Sequence, residues 1–212
     1  MERPLDRRTF LQGATAGAAC FGAGLSGALG APGKVDPEMI LNDPEAPVGG
    51  NPAGNVPIVA FLDYNCPYCR KTAPDLQRFV ATDGQVRLVY KDWPILALSS
   101  VYGARLALAA NRQGRYQTAH DALMAIGGGK TTDETMRDAV KAAGVDMARL
   151  DGDLAAHDKA IGALIARNDA QAKALGLEGT PVYLIGPFLV AAALDYDGFA
   201  ETVRNVRKRI GK

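Results

Sequence analysis

Cysteine and histidine are scarce in this chain. Its 212 residues hold three cysteines and two histidines. Zinc normally takes four ligands, with Cys and His ligands in closely spaced pairs. Beyond Cys66 and Cys69 the only candidates are Cys20, His120 and His157, none of them paired, so no metal is implied. An excess of charge of one sign is also missing. Lys plus Arg number 24 against 23 Asp plus Glu, which leaves no strong field for nucleic acid or an anionic membrane. Past residue 31 no apolar run approaches the roughly 20 residues needed to span a bilayer. What remains, 48% hydrophobic and 22% charged, is the composition of a globular protein, and the length suits one domain or one domain carrying an insertion.

The informative stretch is Cys66-Pro67-Tyr68-Cys69. Ile58 to Leu62 is a short apolar run of strand character, and Asp63-Tyr64-Asn65 turns the chain. A helical pattern then opens at Cys66 and continues through Leu76, Phe79 and Val80. The first N–H groups of a helix lack intrahelical partners and carry the positive end of its dipole. A sulfur there is stabilised as thiolate, the nucleophile of disulfide exchange. On that reasoning Cys66 attacks, and Cys69, three residues on and turned inward, resolves the mixed disulfide. Pro67 at an early helical position costs no hydrogen bond. A strand feeding a C-x-x-C at a helix start is the layout of a thioredoxin-like redox site. The motif by itself also fits half a zinc site or an inert structural disulfide.

The N-terminal residues 1–31 have the order of an export signal. Arg7-Arg8-Thr9-Phe10-Leu11 precedes a Gly/Ala-rich apolar run from Gly13 to Gly30, and Ala28, Gly30 and Ala31 offer cleavage near residue 30 or 31. The paired arginines followed by Phe-Leu resemble a twin-arginine signal, with Asp6 and Gln12 as departures. Cleavage would remove Cys20 and leave the C-x-x-C pair alone, suited to an oxidising periplasm or envelope. Residues 32–56, with five prolines past Ala31 up to Pro52, read as a linker with a turn or two of helix at Asp36–Leu41.

Downstream, Pro74 is expected to kink the first long helix, Asp83-Gly84 to stop it, and Val86 to Trp93 to form a strand. Leu98 to Leu175 is helical throughout, broken at Gly127-Gly128-Gly129. Thr131 with Glu134 reads as a capping box that opens a helix ended by Gly144. Val182–Ile185 and Phe188–Val190 around Gly186-Pro187 form a hairpin. A last helix from Asp195 carries Phe199, Val203, Val206 and Ile210 on one face and a solvated basic face opposite. His120 and His157 read as surface or satisfied core histidines.

Taken together, Asp63 to Cys69, Trp93-Pro94-Ile95-Leu96 with Ser99-Ser100, Tyr116 to Leu123, and Gly179-Thr180-Pro181 resemble the DsbA-like family of envelope thiol:disulfide oxidoreductases, and within it the branch that includes ScsC. The resemblance covers roughly residues 43–210. It implies an α/β thioredoxin-like fold in two parts, 57–97 and 176–212, around an inserted helical domain at 98–175. It implies catalytic Cys66 and Cys69, a reduction potential tuned by Pro67 and Tyr68, and a substrate-contacting cis-proline loop at Thr180-Pro181. Its partners would be exported cysteine-containing proteins and a membrane redox partner, with no cofactor. Two departures stand out. The family often has a buried Glu six residues before the first cysteine, where this chain has Ala60. The segment Asp36–Leu41 is also too short for the oligomerisation stem of ScsC-like isomerases, so a monomer is expected. Three activities remain open at this point: an oxidase or isomerase of exported proteins, a chaperone or Cu(I)-binding thiol module, and a glutaredoxin-like reductase.

Overall fold

The computed structural model describes residues 36–211; the signal expectation and Cys20 lie outside them. In chain order the elements are α1 (Pro37–Leu41), β1 (Val48–Gly50), β2 (Val56–Leu62), α2 (Pro67–Asp83), β3 (Val86–Asp92), α3 (Leu98–Asn111), α4 (Tyr116–Met124), α5 (Asp133–Ala142), α6 (Met147–Ala174), β4 (Val182–Ile185), β5 (Phe188–Val190) and α7 (Tyr196–Ile210). One five-stranded sheet runs β1-β3-β2-β4-β5. β2 and β3 are parallel, with Ala60 beside Tyr90 and Leu62 beside Asp92; the other pairings are antiparallel. A parallel pair needs a crossover, and α2 supplies it.

β2 and β3 are buried on both faces, as their near-continuous apolar sequence requires. One face presents Ile58, Ala60, Leu62, Leu88 and Tyr90 to a core completed by Leu76, Phe79 and Val80 of α2 and Phe199, Val203 and Val206 of α7. The other face presents Val59, Phe61 and Val89 to Ile40 of α1, Trp93, and Ala172 near the end of α6. Pro74 leaves α2 continuous, and Gly84, at φ +65°, closes that helix by donating to the Val80 carbonyl at 3.1 Å. Gly186, at φ +54°, makes the hairpin turn between Ile185 and Phe188.

Three sequence expectations need correction. The Thr131 capping box is displaced by one residue: Thr132 caps α5 by accepting from the Thr135 N–H at 3.1 Å. Thr131 instead donates its own N–H to Asn65. Ile210, assigned to the apolar face of α7, is 62% exposed because the helix ends there, past the last core contact at Val206. The stretch read as a linker contributes edge strand β1, whose Val-Gly-Gly sequence carries no periodicity.

That stretch is also anchored by charge. Asp43 and Lys91 have fully buried side chains 3.4 Å apart. Arg167 of α6 bonds both Asp43 oxygens, at 2.8 and 3.0 Å, and reaches Glu45 at 2.8 Å. Burial pushes the Asp43 carboxyl up, but Arg167, the Glu45 amide and Lys91 together hold it below its ordinary value. Removing one member of a buried pair leaves an uncompensated charge, at a cost of about 3–5 kcal/mol. Asp43→Ala leaves Lys91 buried without a counter-charge, Arg167 still being held by Glu45, whereas Lys91→Met leaves Asp43 paired with Arg167. Urea unfolding should therefore give Asp43→Ala the larger loss, and the reverse order would refute this reading of the cluster.

Candidate active site

The turn after β2 is fixed by its own short polar side chains, which satisfy nearby backbone donors. Asp63 accepts from the Asn65 N–H (2.7 Å), the Ser100 hydroxyl (2.7 Å), and the Ile95 and Leu96 N–H groups (2.8 and 2.9 Å). Its carbonyl takes the Cys66 N–H at 3.1 Å. Asn65 donates to Ser99 and Ser100 at 3.0 and 2.9 Å. The turn thus locks the start of α2 to the loop after β3 and to the first turn of α3.

Cys66 is the N-cap of α2, with Pro67 in the first turn, and its Sγ accepts the Cys69 N–H at 3.4 Å. As a thiol it donates to the Thr180 carbonyl at 3.1 Å. A hydrogen bond from the Cys69 thiol, aided by Thr180 and the Cys69 and Tyr68 amides, outweighs burial and brings the Cys66 pKa down to about 6. Cys69 goes the other way. Burial, then the hydrogen bond to Cys66 and the charge on Cys66, keep its thiol protonated far above neutrality. The site therefore holds one sulfur ionised near neutral pH and, one turn on, one that is not. Both cysteines are free and buried, while Pro67 and Tyr68 between them are exposed, Tyr68 at 62%.

The Thr180-Pro181 peptide bond is cis. This loop faces Cys66 and borders a groove of about 460 Å³ lined by Leu177, Thr180, Pro181, Val182 and Leu189. The Thr180 hydroxyl is buried and has no hydrogen-bond partner among the described residues; the loop meets Cys66 through the Thr180 carbonyl.

The structure brings Cys66, Pro67, Tyr68, Cys69, Thr180 and Pro181 together, and adds three residues with no sequence signal. Tyr183 stands across from Ala60 in the β2–β4 register. Its hydroxyl lies 2.8 Å from the Thr72 hydroxyl, which donates to the Cys69 carbonyl at 3.2 Å. Burial, together with the charges of Cys69 and Cys66, raises the Tyr183 pKa. Opposite Ala60, then, a tyrosine from the neighbouring strand is linked to the Cys69 carbonyl through Thr72. The third residue, Arg70, donates from Nε to the Tyr64 carbonyl at 2.7 Å. His120 stays away from the sulfurs: it is buried, 3.0 Å from the Tyr64 hydroxyl, and burial lowers its pKa to about 3. His157 is half-buried on α6. No group of three or more His, Cys, Asp or Glu among the described residues is placed to hold a metal, and none of the described helices is long and apolar enough to cross a membrane.

Comparison with known proteins agrees with this geometry. The family model for the DSBA-like thioredoxin domain matches residues 57–204. A thioredoxin-like oxidoreductase from Silicibacter pomeroyi is 39% identical with a TM-score of 0.75, covering 82% of this chain and 98% of that one. The thiol-disulfide exchange protein alpha-DsbA2 from Wolbachia pipientis is 28% identical with a TM-score of 0.74, over 80% and 91% of the two chains. The catalytic domain of Proteus mirabilis ScsC is 25% identical with a TM-score of 0.71, over 80% and 93%. A curated relative, the Na(+)/H(+) antiporter NhaA 3 of Salinispora tropica, is 30% identical over 100 residues; that match spans 46% of this chain but only 15% of the antiporter's length. With a C-x-x-C at a helix start facing a cis-proline loop, and a family match over most of its length, the chain belongs to the DsbA-like thioredoxin-domain family of thiol–disulfide oxidoreductases.

Proposed function

We propose that this protein exchanges disulfides with exported, cysteine-containing proteins through Cys66 and Cys69. In the oxidising direction a client thiolate attacks Sγ of Cys66. The Cys66–Cys69 bond breaks, and Cys69 leaves and takes up a proton. A second client thiolate then attacks the client sulfur of the mixed disulfide and releases Cys66 as thiolate. The client gains one disulfide and the protein becomes the dithiol, to be reoxidised by a membrane redox partner. Pro67 and Tyr68 tune the potential, and Thr180 and Pro181 contact the client. We read the chain as an exported monomer working in the periplasm or envelope, on the strength of its Arg7-Arg8 signal pattern and short α1.

The observation that carries the proposal is the divided ionisation of the pair: Cys66 is poised near pH 6 beside the Thr180 carbonyl, and Cys69 is held as a thiol. A low-pKa sulfur is both a competent nucleophile and a good leaving group. The test mixes the oxidised protein with a reduced, unfolded cysteine-rich client and counts thiols. One disulfide should pass to the client for each protein disulfide consumed. A client whose thiols are unchanged would overturn the proposal.

A further inference from the structure

The helical segment between β3 and β4 returns to the active site at Gly127-Gly128-Gly129-Lys130. Arg70, the residue after Cys69, holds this loop: its Nη1 donates to the carbonyls of Gly128 (3.2 Å) and Gly129 (2.9 Å) while its Nε holds Tyr64. Asn65, the residue before Cys66, holds the far end by accepting the Thr131 N–H at 2.8 Å. The loop is therefore tied to both flanks of the C-x-x-C. All of residues 127–130 are exposed.

The glycines are not explained by the fold alone. Gly128 needs its left-handed φ of +85°, but Gly127 and Gly129 have no such backbone, and a Cβ on either would meet nothing within 4 Å. The carbonyls of Gly128 and Gly129 are engaged by Arg70, whereas among the described residues the N–H groups of residues 127–130 donate to no protein acceptor. The result is a strip of free backbone donors, bare of side chains in its first three residues, anchored beside the exchanging sulfur. Such a strip suits the close approach of another backbone. A compact thiol such as glutathione has little extended main chain to offer it.

We propose that the Gly127–Lys130 loop is a docking wall for client proteins, receiving the carbonyls of an extended segment that carries the reacting cysteine, with Arg70 and Asn65 as the residues that position it. This rests on the disulfide-exchange reading above and adds the element that selects polypeptide over small thiols.

The test compares rate constants for opening the Cys66–Cys69 disulfide of the full-length protein by two probes, a short unstructured peptide with one cysteine and reduced glutathione. In Gly127→Val/Gly129→Val, whose added side chains point into open space, the peptide-to-glutathione ratio should fall about tenfold, the equivalent of one to two lost hydrogen bonds. Arg70→Lys keeps the cation but cannot bridge the three carbonyls, and should lower the ratio in the same direction. Ratios within about twofold of the parent in both variants would overturn the docking wall. A parent protein that reacts with neither probe would instead overturn the exchange reading on which it rests.

Discussion

Cys66→Ser is expected to abolish disulfide exchange, by at least roughly a thousandfold, while Cys69→Ser converts the protein into a trap. The asymmetry follows from where the two sulfurs sit. Cys66 caps α2, accepts the Cys69 amide and is ionised near neutrality, so in the proposed function it is the sulfur that bonds to a client. A serine hydroxyl in its place does not ionise in this pH range and carries no disulfide. Cys69 is buried and protonated, so its proposed part is to close on Cys66 once the mixed disulfide exists. Without it the adduct persists and runs as a covalent complex on a non-reducing gel. Exchange retained in Cys66→Ser, or no adduct with Cys69→Ser, would show that the roles are wrongly assigned.

The second large effect is on reactivity with pH. In the reduced protein, alkylation of Cys66 should rise with a midpoint near pH 6, against an ordinary value of about 9, while Cys69 stays silent. At pH 7 Cys66 would then be roughly ten parts thiolate to one of thiol. The linkage has a definite sign. The folded-state pKa of Cys66 is depressed, so its contribution to the stability of the reduced form is fully present above the unfolded value near 9. It declines as pH falls and is gone below about 6. The reduced protein should therefore gain stability relative to the oxidised one as pH rises from about 6 to about 9, read as the gap between their thermal midpoints. A midpoint for Cys66 alkylation near 9 would remove the basis for its role as nucleophile.

Much of this site was legible in the sequence because its parts are local. Cys66 to Cys69 follows a strand and opens a helix, and each of those signals lies within a few residues of the motif. The hairpin around Gly186-Pro187 and the start of α7 at Asp195 were legible for the same reason: turn residues and a capping side chain act on their own neighbours. Edge strand β1 was not, since three residues paired only with β3 leave no alternation to read. Lys91 lies inside a strand pattern, and nothing local says that its partner is Asp43, 48 residues earlier, in a stretch rich in proline. Tyr183 and Thr72 come under Cys69 only through the pairing of β4 with β2 and the pitch of α2. Arg70 reads as an ordinary surface cation until the glycine break, nearly 60 residues away, folds back onto it. In each case the missing information was register between distant segments, which no local propensity encodes.

The most direct test is the reduction potential of Cys66–Cys69, measured by equilibrating the protein in glutathione buffers. Stabilising the Cys66 thiolate stabilises the dithiol and raises the potential. With its pKa between those typical of strongly reducing and strongly oxidising members of the thioredoxin superfamily, the expected potential lies between about −270 and −120 mV. A value below about −300 mV, the range of inert structural disulfides, or no exchange with glutathione at all, would contradict the assignment of this pair as a redox centre.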